Sequence, residues 1–116
     1  MNLSVKWRKA TLFSFESDDI KISMTIYFDE NNQLIFDGYD IGKTVNEVWG
    51  GSDYEYSYTI EREEVEKLYK IFKLNKGDKS GLLHEIKARF SCAKAYSAFG
   101  EFMDKNDVKY YAFTWT

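Results

Sequence analysis

The stretch Asp53-Tyr54-Glu55-Tyr56-Ser57-Tyr58-Thr59-Ile60-Glu61-Arg62-Glu63-Glu64-Val65-Glu66-Lys67-Leu68-Tyr69-Lys70-Ile71-Phe72 decides the fold class. Up to Ile60 it alternates. Tyr54, Tyr56, Tyr58 and Ile60 share one face, and Glu55, Ser57 and Thr59 share the other, which is the period of a strand. Beyond Ile60 the period changes. Val65, Leu68, Tyr69 and Phe72 fall at i, i+3, i+4 and i+7, the apolar stripe of a helix from about Glu61 to Leu74. Glu61, Glu63 and Glu64 lead it and Lys67, Lys70 and Lys73 follow, an order that complements the helix dipole.

Upstream of this switch the chain reads as strands. Ile20, Ile22, Met24, Ile26 and Phe28 alternate with polar residues, and Glu30-Asn31-Asn32 makes a polar turn. Asn tolerates positive φ, so a hairpin is expected, with Gln33–Tyr39 returning. Leu3, Val5 and Trp7 share a face, but the phase slips near Ala10, as a bulge or bend would make it. Gly42–Gly51 is a connection in which Val45, Val48 and Trp49 suggest one helical turn. Downstream of the switch, Gly77 marks a stop, and Ser80 can cap a second helix from Gly81 to about Phe90. A third helix is expected from about Cys92 to Lys105, with Cys92, Tyr96, Phe99 and Met103 on one stripe. Val108–Trp115 alternates and closes the chain as a strand.

Strands grouped before helices give an α+β fold, not an alternating α/β one. The expectation is a single domain over residues 1–116 with an antiparallel sheet of about five strands. These are a three-strand N-terminal meander, a fourth strand and a C-terminal strand inserted beside an early one. Two or three helices pack on one face.

Composition bounds the function. With 44% hydrophobic and 18% aromatic residues the chain has ample core, and disorder is excluded. No uncharged apolar run approaches the roughly 20 residues that a bilayer crossing needs. Met1–Ala10 alternates and lacks the apolar block of a secretory signal, and the lone Cys92 allows no intrachain disulfide. A cytoplasmic location is therefore expected. Lysine outnumbers arginine 13 to 3 and proline is absent, a bias read as an AT-rich, bacterial genome. Residues 29–66 hold 11 acids and 2 bases, whereas residues 67–116 hold 5 acids and 10 bases. An acidic segment of this kind steers cationic partners.

The chemical motifs are decoys. Gly42-Lys43-Thr44 ends like a phosphate-binding loop, but the first glycine of that loop is Asp37 here, an anion where an anion would bind. Cys92 and His84 lie eight residues apart in a helical region, roughly 12 Å along a continuous helix, too far for a catalytic pair. One histidine and one cysteine make no zinc site. Lys67, Lys70, Lys73, Lys76 and Lys79 read as a solubilising face, because the same helix starts with glutamates and the pI is about 5.2. No nucleic-acid or membrane partner and no cofactor is expected. Asp37, Asp40, Asp53 and Glu55 could bind a hard cation or act as acid and base.

The segment Trp49-Gly50-Gly51-Ser52-Asp53-Tyr54-Glu55-Tyr56, preceded by Asp37-Gly38-Tyr39-Asp40-Ile41-Gly42, resembles a small uncharacterised bacterial domain family. Its members carry a Gly-x-Ser-Asp-Tyr-Glu-Tyr segment, and the resemblance covers roughly residues 33–72. No activity or catalytic residue comes with it. Stand-alone domains of this look are often immunity or accessory proteins.

The expected function is that of a non-enzymatic module binding another, cationic protein, with a toxin-neutralising immunity protein as the concrete form. The expected surface is acidic and tyrosine-rich: Asp37, Asp40, Asp53, Tyr54, Glu55, Tyr56 and Tyr58. A small enzyme or metal-binding protein using the carboxylates is one alternative. A homo-oligomer joined through its sheet edges is the other.

Overall fold

The structure is a computed structural model that describes residues 8–42 and 53–115. Leu3, Val5 and Trp7, the turn expected over Val45, Val48 and Trp49, and Gly50–Ser52 lie outside the described residues.

Five strands form one antiparallel sheet in sequence order. They are β1 (Lys9–Glu16), β2 (Ile20–Phe28), β3 (Leu34–Gly42), β4 (Asp53–Ile60) and β5 (Tyr111–Trp115). Three helices, α1 (Arg62–Ile71), α2 (Lys79–Arg89) and α3 (Ala95–Lys105), intervene between β4 and β5 and cover one face. The α+β architecture is as the sequence predicts.

Local chemistry fixes each connection. Asp29 accepts the N–H groups of Asn31 and Gln33, each at 2.9 Å, and Asn32 takes φ 62°, which closes the β2–β3 hairpin. The phase slip in β1 is a bulge. The register with β2 shifts between Thr11 and Phe13, so Leu12 and Phe13 both serve the covered face. Helix α1 stops at Ile71, earlier than Gly77. Lys73 adopts φ 58°, Lys73 N–H bonds Lys70 O, and Leu74 N–H bonds Tyr69 O at 2.8 Å, a two-bond termination built without glycine. The cap of α2 is Asp78, whose carboxylate accepts Gly81 N–H at 3.0 Å, and not Ser80. Helix α3 starts at Ala95, so Cys92 falls in the preceding connection and is exposed, not on the apolar stripe.

The core lies between the helices and the covered face of the sheet. Phe36 and Phe99 are fully buried and stack at 6.1 Å. Each contributes roughly 2–3 kcal/mol of transfer free energy. Helix α2 lies over β1 and β2. Phe72, at the end of α1, stacks on Phe102 of α3 at 5.5 Å.

Helix α3 is fastened to β4 by two tyrosines. Tyr58 and Tyr96 stack with centroids 4.0 Å apart and planes 9° apart. The Tyr58 hydroxyl donates to the Tyr96 carbonyl and the Tyr96 hydroxyl donates to the Ser57 carbonyl, both at 2.9 Å. Glycine makes this approach possible. A Cβ on Gly100 would lie 2.2 Å from the Tyr58 hydroxyl, and one on Gly38 would lie 2.0 Å from the Tyr56 ring.

The C-terminal strand does not insert beside an early strand. It pairs with β4 at the sheet edge. The cause is the first helix, which leaves directly from β4. Its Glu64 carboxylate accepts the Lys109 N–H and its Lys67 ammonium donates to the Asp107 carbonyl, both at 2.8 Å. The Lys109 N–H and then Lys67 hold the Glu64 carboxyl below its usual pKa. Tyr110 then packs against Tyr58 at 4.8 Å, and the chain enters β5 alongside β4.

Gly100→Ala is expected to destabilise the protein by roughly 1–3 kcal/mol in chemical denaturation, because the new methyl overpacks a closed contact. The same substitution is expected to cost less in a Tyr58→Phe background, where the clashing hydroxyl is gone. A double-mutant cycle measures that coupling.

Candidate functional site

The described helices leave the other face of the sheet open. Directly opposed residues in antiparallel strands point to the same side, so the registers assign every side chain to a face. Three rows run across the open face. The first is Lys9, Tyr27, Ile35, Thr59 and Tyr111. The second is Thr11, Thr25, Asp37, Ser57 and Phe113, and the third is Ser14, Ser23, Tyr39, Glu55 and Trp115. A shorter row of Glu16, Lys21, Ile41 and Asp53 follows.

This assignment divides the seven residues singled out in the sequence. Asp37, Asp53 and Glu55 stand on the open face. Tyr54, Tyr56, Tyr58 and Asp40 are on the covered one. Tyr56 and Tyr58 are 5% and 6% exposed and belong to the core, while Tyr54, at 38%, sits at its margin and touches Tyr56 at 5.5 Å. Asp40 accepts the Tyr56 hydroxyl at 2.8 Å, so this carboxylate satisfies a buried phenol. The seven therefore do not form one patch. The tyrosine row and three of the four acids lie back to back.

What the open face offers instead is aromatic. Tyr111, Phe113 and Trp115 are 66%, 60% and 63% exposed, side by side on edge strand β5. The sequence signals them through Tyr111-Ala112-Phe113-Thr114-Trp115, where large side chains alternate with small ones. An insertion beside an early strand would have hidden them, and the hook by Glu64 and Lys67 is a contact between distant segments that no local pattern announces.

Short side chains in the second row, Thr25 and Ser57, open a shallow trough of about 450 Å³ between their neighbours, lined also by Asp37, Glu55 and Phe113. Lys9, Asp37 and Glu55 are its charged lining. Across the whole open face, Asp37, Asp53 and Glu55 lie on β3 and β4, while β1 and β2 carry Lys9, Lys21 and Glu16. The Tyr27 hydroxyl donates to Asp37 Oδ2 at 2.9 Å, and Lys9 lies 5.8 Å from the centre of the Tyr27 ring. Burial, and then the bond to Asp37, push the Tyr27 phenol up to about 12, so it remains a neutral donor. A second hollow of about 560 Å³ opens near the β2–β3 turn. The Lys79 ammonium there donates to Asn32 and lies over the Phe28 ring at 5.4 Å.

Among the described residues no three His, Cys, Asp or Glu side chains come together to hold a metal ion. His84 is exposed on α2, apart from the connection that carries Cys92. Asp37 lies mid-strand in β3, not at the start of a phosphate loop. Among the described residues no helix is long and apolar enough to cross a membrane. Comparison with protein-family models, with curated proteins and with solved structures gives no match.

The tyrosines make the fold sensitive to alkaline pH. Burial raises the phenols of Tyr56, Tyr58, Tyr69, Tyr96 and Tyr110 above their ordinary value, as it does that of Tyr27. Below a pH of about 10, the unfolded tyrosine value, both states are protonated and these groups leave stability unchanged. Above it the unfolded chain releases protons that the folded chain keeps, so stability falls as pH rises. Denaturation midpoints are expected to drop steadily above that pH. Tyrosinate absorbance from the buried rings is expected to appear together with unfolding, not before it.

Proposed function

We propose that this chain is a non-enzymatic protein-binding module of the bacterial cytoplasm that recognises a cationic protein through the open face of its sheet. An immunity protein that neutralises a basic toxin is the concrete form. The observation that carries this reading is the row Tyr111, Phe113 and Trp115, exposed beside Asp37, Asp53 and Glu55. Large aromatics supply most of the energy at protein interfaces, since each covers much area at little cost in side-chain entropy. Exposed apolar patches rimmed by polar groups mark such surfaces. The flanking carboxylates add long-range steering and discriminate against acidic competitors. Ser and Thr in the adjoining rows line the shallow trough and give a partner hydroxyls to bond.

The test uses the tagged protein to capture partners from a host lysate at low and high salt, followed by calorimetry with the purified partner. One basic protein, held more weakly at high salt, is expected. Trp115→Ala and Phe113→Ala are each expected to weaken it by roughly tenfold or more. Asp37→Asn with Glu55→Gln is expected to slow association and flatten the salt dependence. Glu101→Gln on the exposed side of α3 serves as the control and is expected to change nothing. Unaltered affinity in all the open-face variants would overturn the reading.

A further inference from the structure

We infer that the partner joins the sheet as a sixth strand, an extended basic segment laid along the free edge of β5. The inference rests on the function proposed above and specifies the form in which the partner arrives.

The two edges of the sheet are built differently. Strand β1 carries Lys9 and Glu16 and is interrupted by the bulge at Leu12, the usual devices that keep an edge from pairing. Strand β5 has none of them. Tyr111-Ala112-Phe113-Thr114-Trp115 contains no charge, no proline and no register shift against β4. All five residues are exposed, and no described strand lies beyond them. One side of its backbone is therefore a template of N–H and C=O groups at strand spacing.

Charge and geometry select the occupant. A strand added here lies about 4.8 Å from β5 and about twice that from β4. Its side chains on the open face meet Tyr111, Phe113 and Trp115 first and the carboxylates of Glu55 and Asp53 behind them. An arginine or lysine satisfies both, with its stem and cation over the rings and its charge directed at the acids. Side chains on the other face pass beside Ala112 and Thr114, which leave room for small or apolar residues. A second copy of this chain fits less well. Symmetric pairing of two β5 strands brings no cation to Glu55.

The probe is an acetylated, amidated hexapeptide alternating arginine and valine, titrated into the full chain and followed by backbone amide shifts and amide exchange. Saturable binding is expected, with exchange slowed roughly tenfold or more at β5 amides and affinity falling several-fold as salt rises from about 50 to 300 mM. The fully N-methylated peptide keeps the charges and loses the donors, and is expected to bind roughly tenfold more weakly or worse. A peptide with glutamate in place of arginine is expected not to bind. Equal binding of the N-methylated peptide would overturn strand addition while leaving recognition by the open face intact. Equal binding of the glutamate peptide would remove the basic occupant. Absence of saturable binding would sink the inference, while the Trp115 and Phe113 variants against the captured partner judge the broader function separately. Slow β5 exchange without peptide, growing with protein concentration alongside dimer mass, would assign the edge to a second copy and overturn the inference.

Discussion

The stack of Tyr58 on Tyr96, with each hydroxyl bonded to the other segment's backbone, fixes the distance between helix α3 and strand β4. Neither ring reaches its acceptor unless the helix comes close, and Gly100 is what lets it. From that distance the rest follows. Phe36 and Phe99 can stack only across so narrow a gap. The chain leaving α3 then passes α1, where Glu64 and Lys67 take hold of it. The last strand is thereby placed at the edge, with its three large aromatics on the face that no described helix covers. The recognition surface proposed for this protein is thus a downstream result of a packing contact on the opposite side of the sheet.

The fold was legible because its signals are local. The period change at Ile60, the hairpin at Asn32 and the bulge near Ala10 each depend on a few neighbouring residues, and the observed elements follow them closely. Helix ends were less legible, since they depend on backbone choices that several residue types can make. Lys73 ends α1 in a conformation where glycine is usual, and Asp78 takes the cap that Ser80 also suited.

The site was legible only in part, and the reason is parity. Within β4 the alternation places Tyr54, Tyr56 and Tyr58 opposite Glu55, but it does not say which face meets the helices. Aromatic content suits a core and an interface equally well. The deciding facts are long-range: Tyr96 on α3 supplies a stacking partner for Tyr58, and Gly38 on β3 supplies a bed for Tyr56. With the tyrosines turned inward, Asp53, Glu55 and their cross-strand neighbour Asp37 must turn outward. Asp40, three residues on from Asp37, changes sides and becomes the acceptor of a buried phenol. Acidic composition reads the same in both environments, so it does not separate the carboxylates on the open face from the one that satisfies a buried phenol.

The order β1-β2-β3-β4-β5 also has a temporal side. The first three pairings close short loops between consecutive strands, so they can form in sequence at small entropic cost. The pairing of β4 with β5 instead closes over residues 61–110, which hold three helices. The β5 edge is thus the most non-local pairing of the sheet, and it is held on one side only by a strand of five residues. A segment that binds along β5 is therefore linked to the folded state, which it stabilises by RT ln(1 + [L]/Kd), an amount that grows with its concentration.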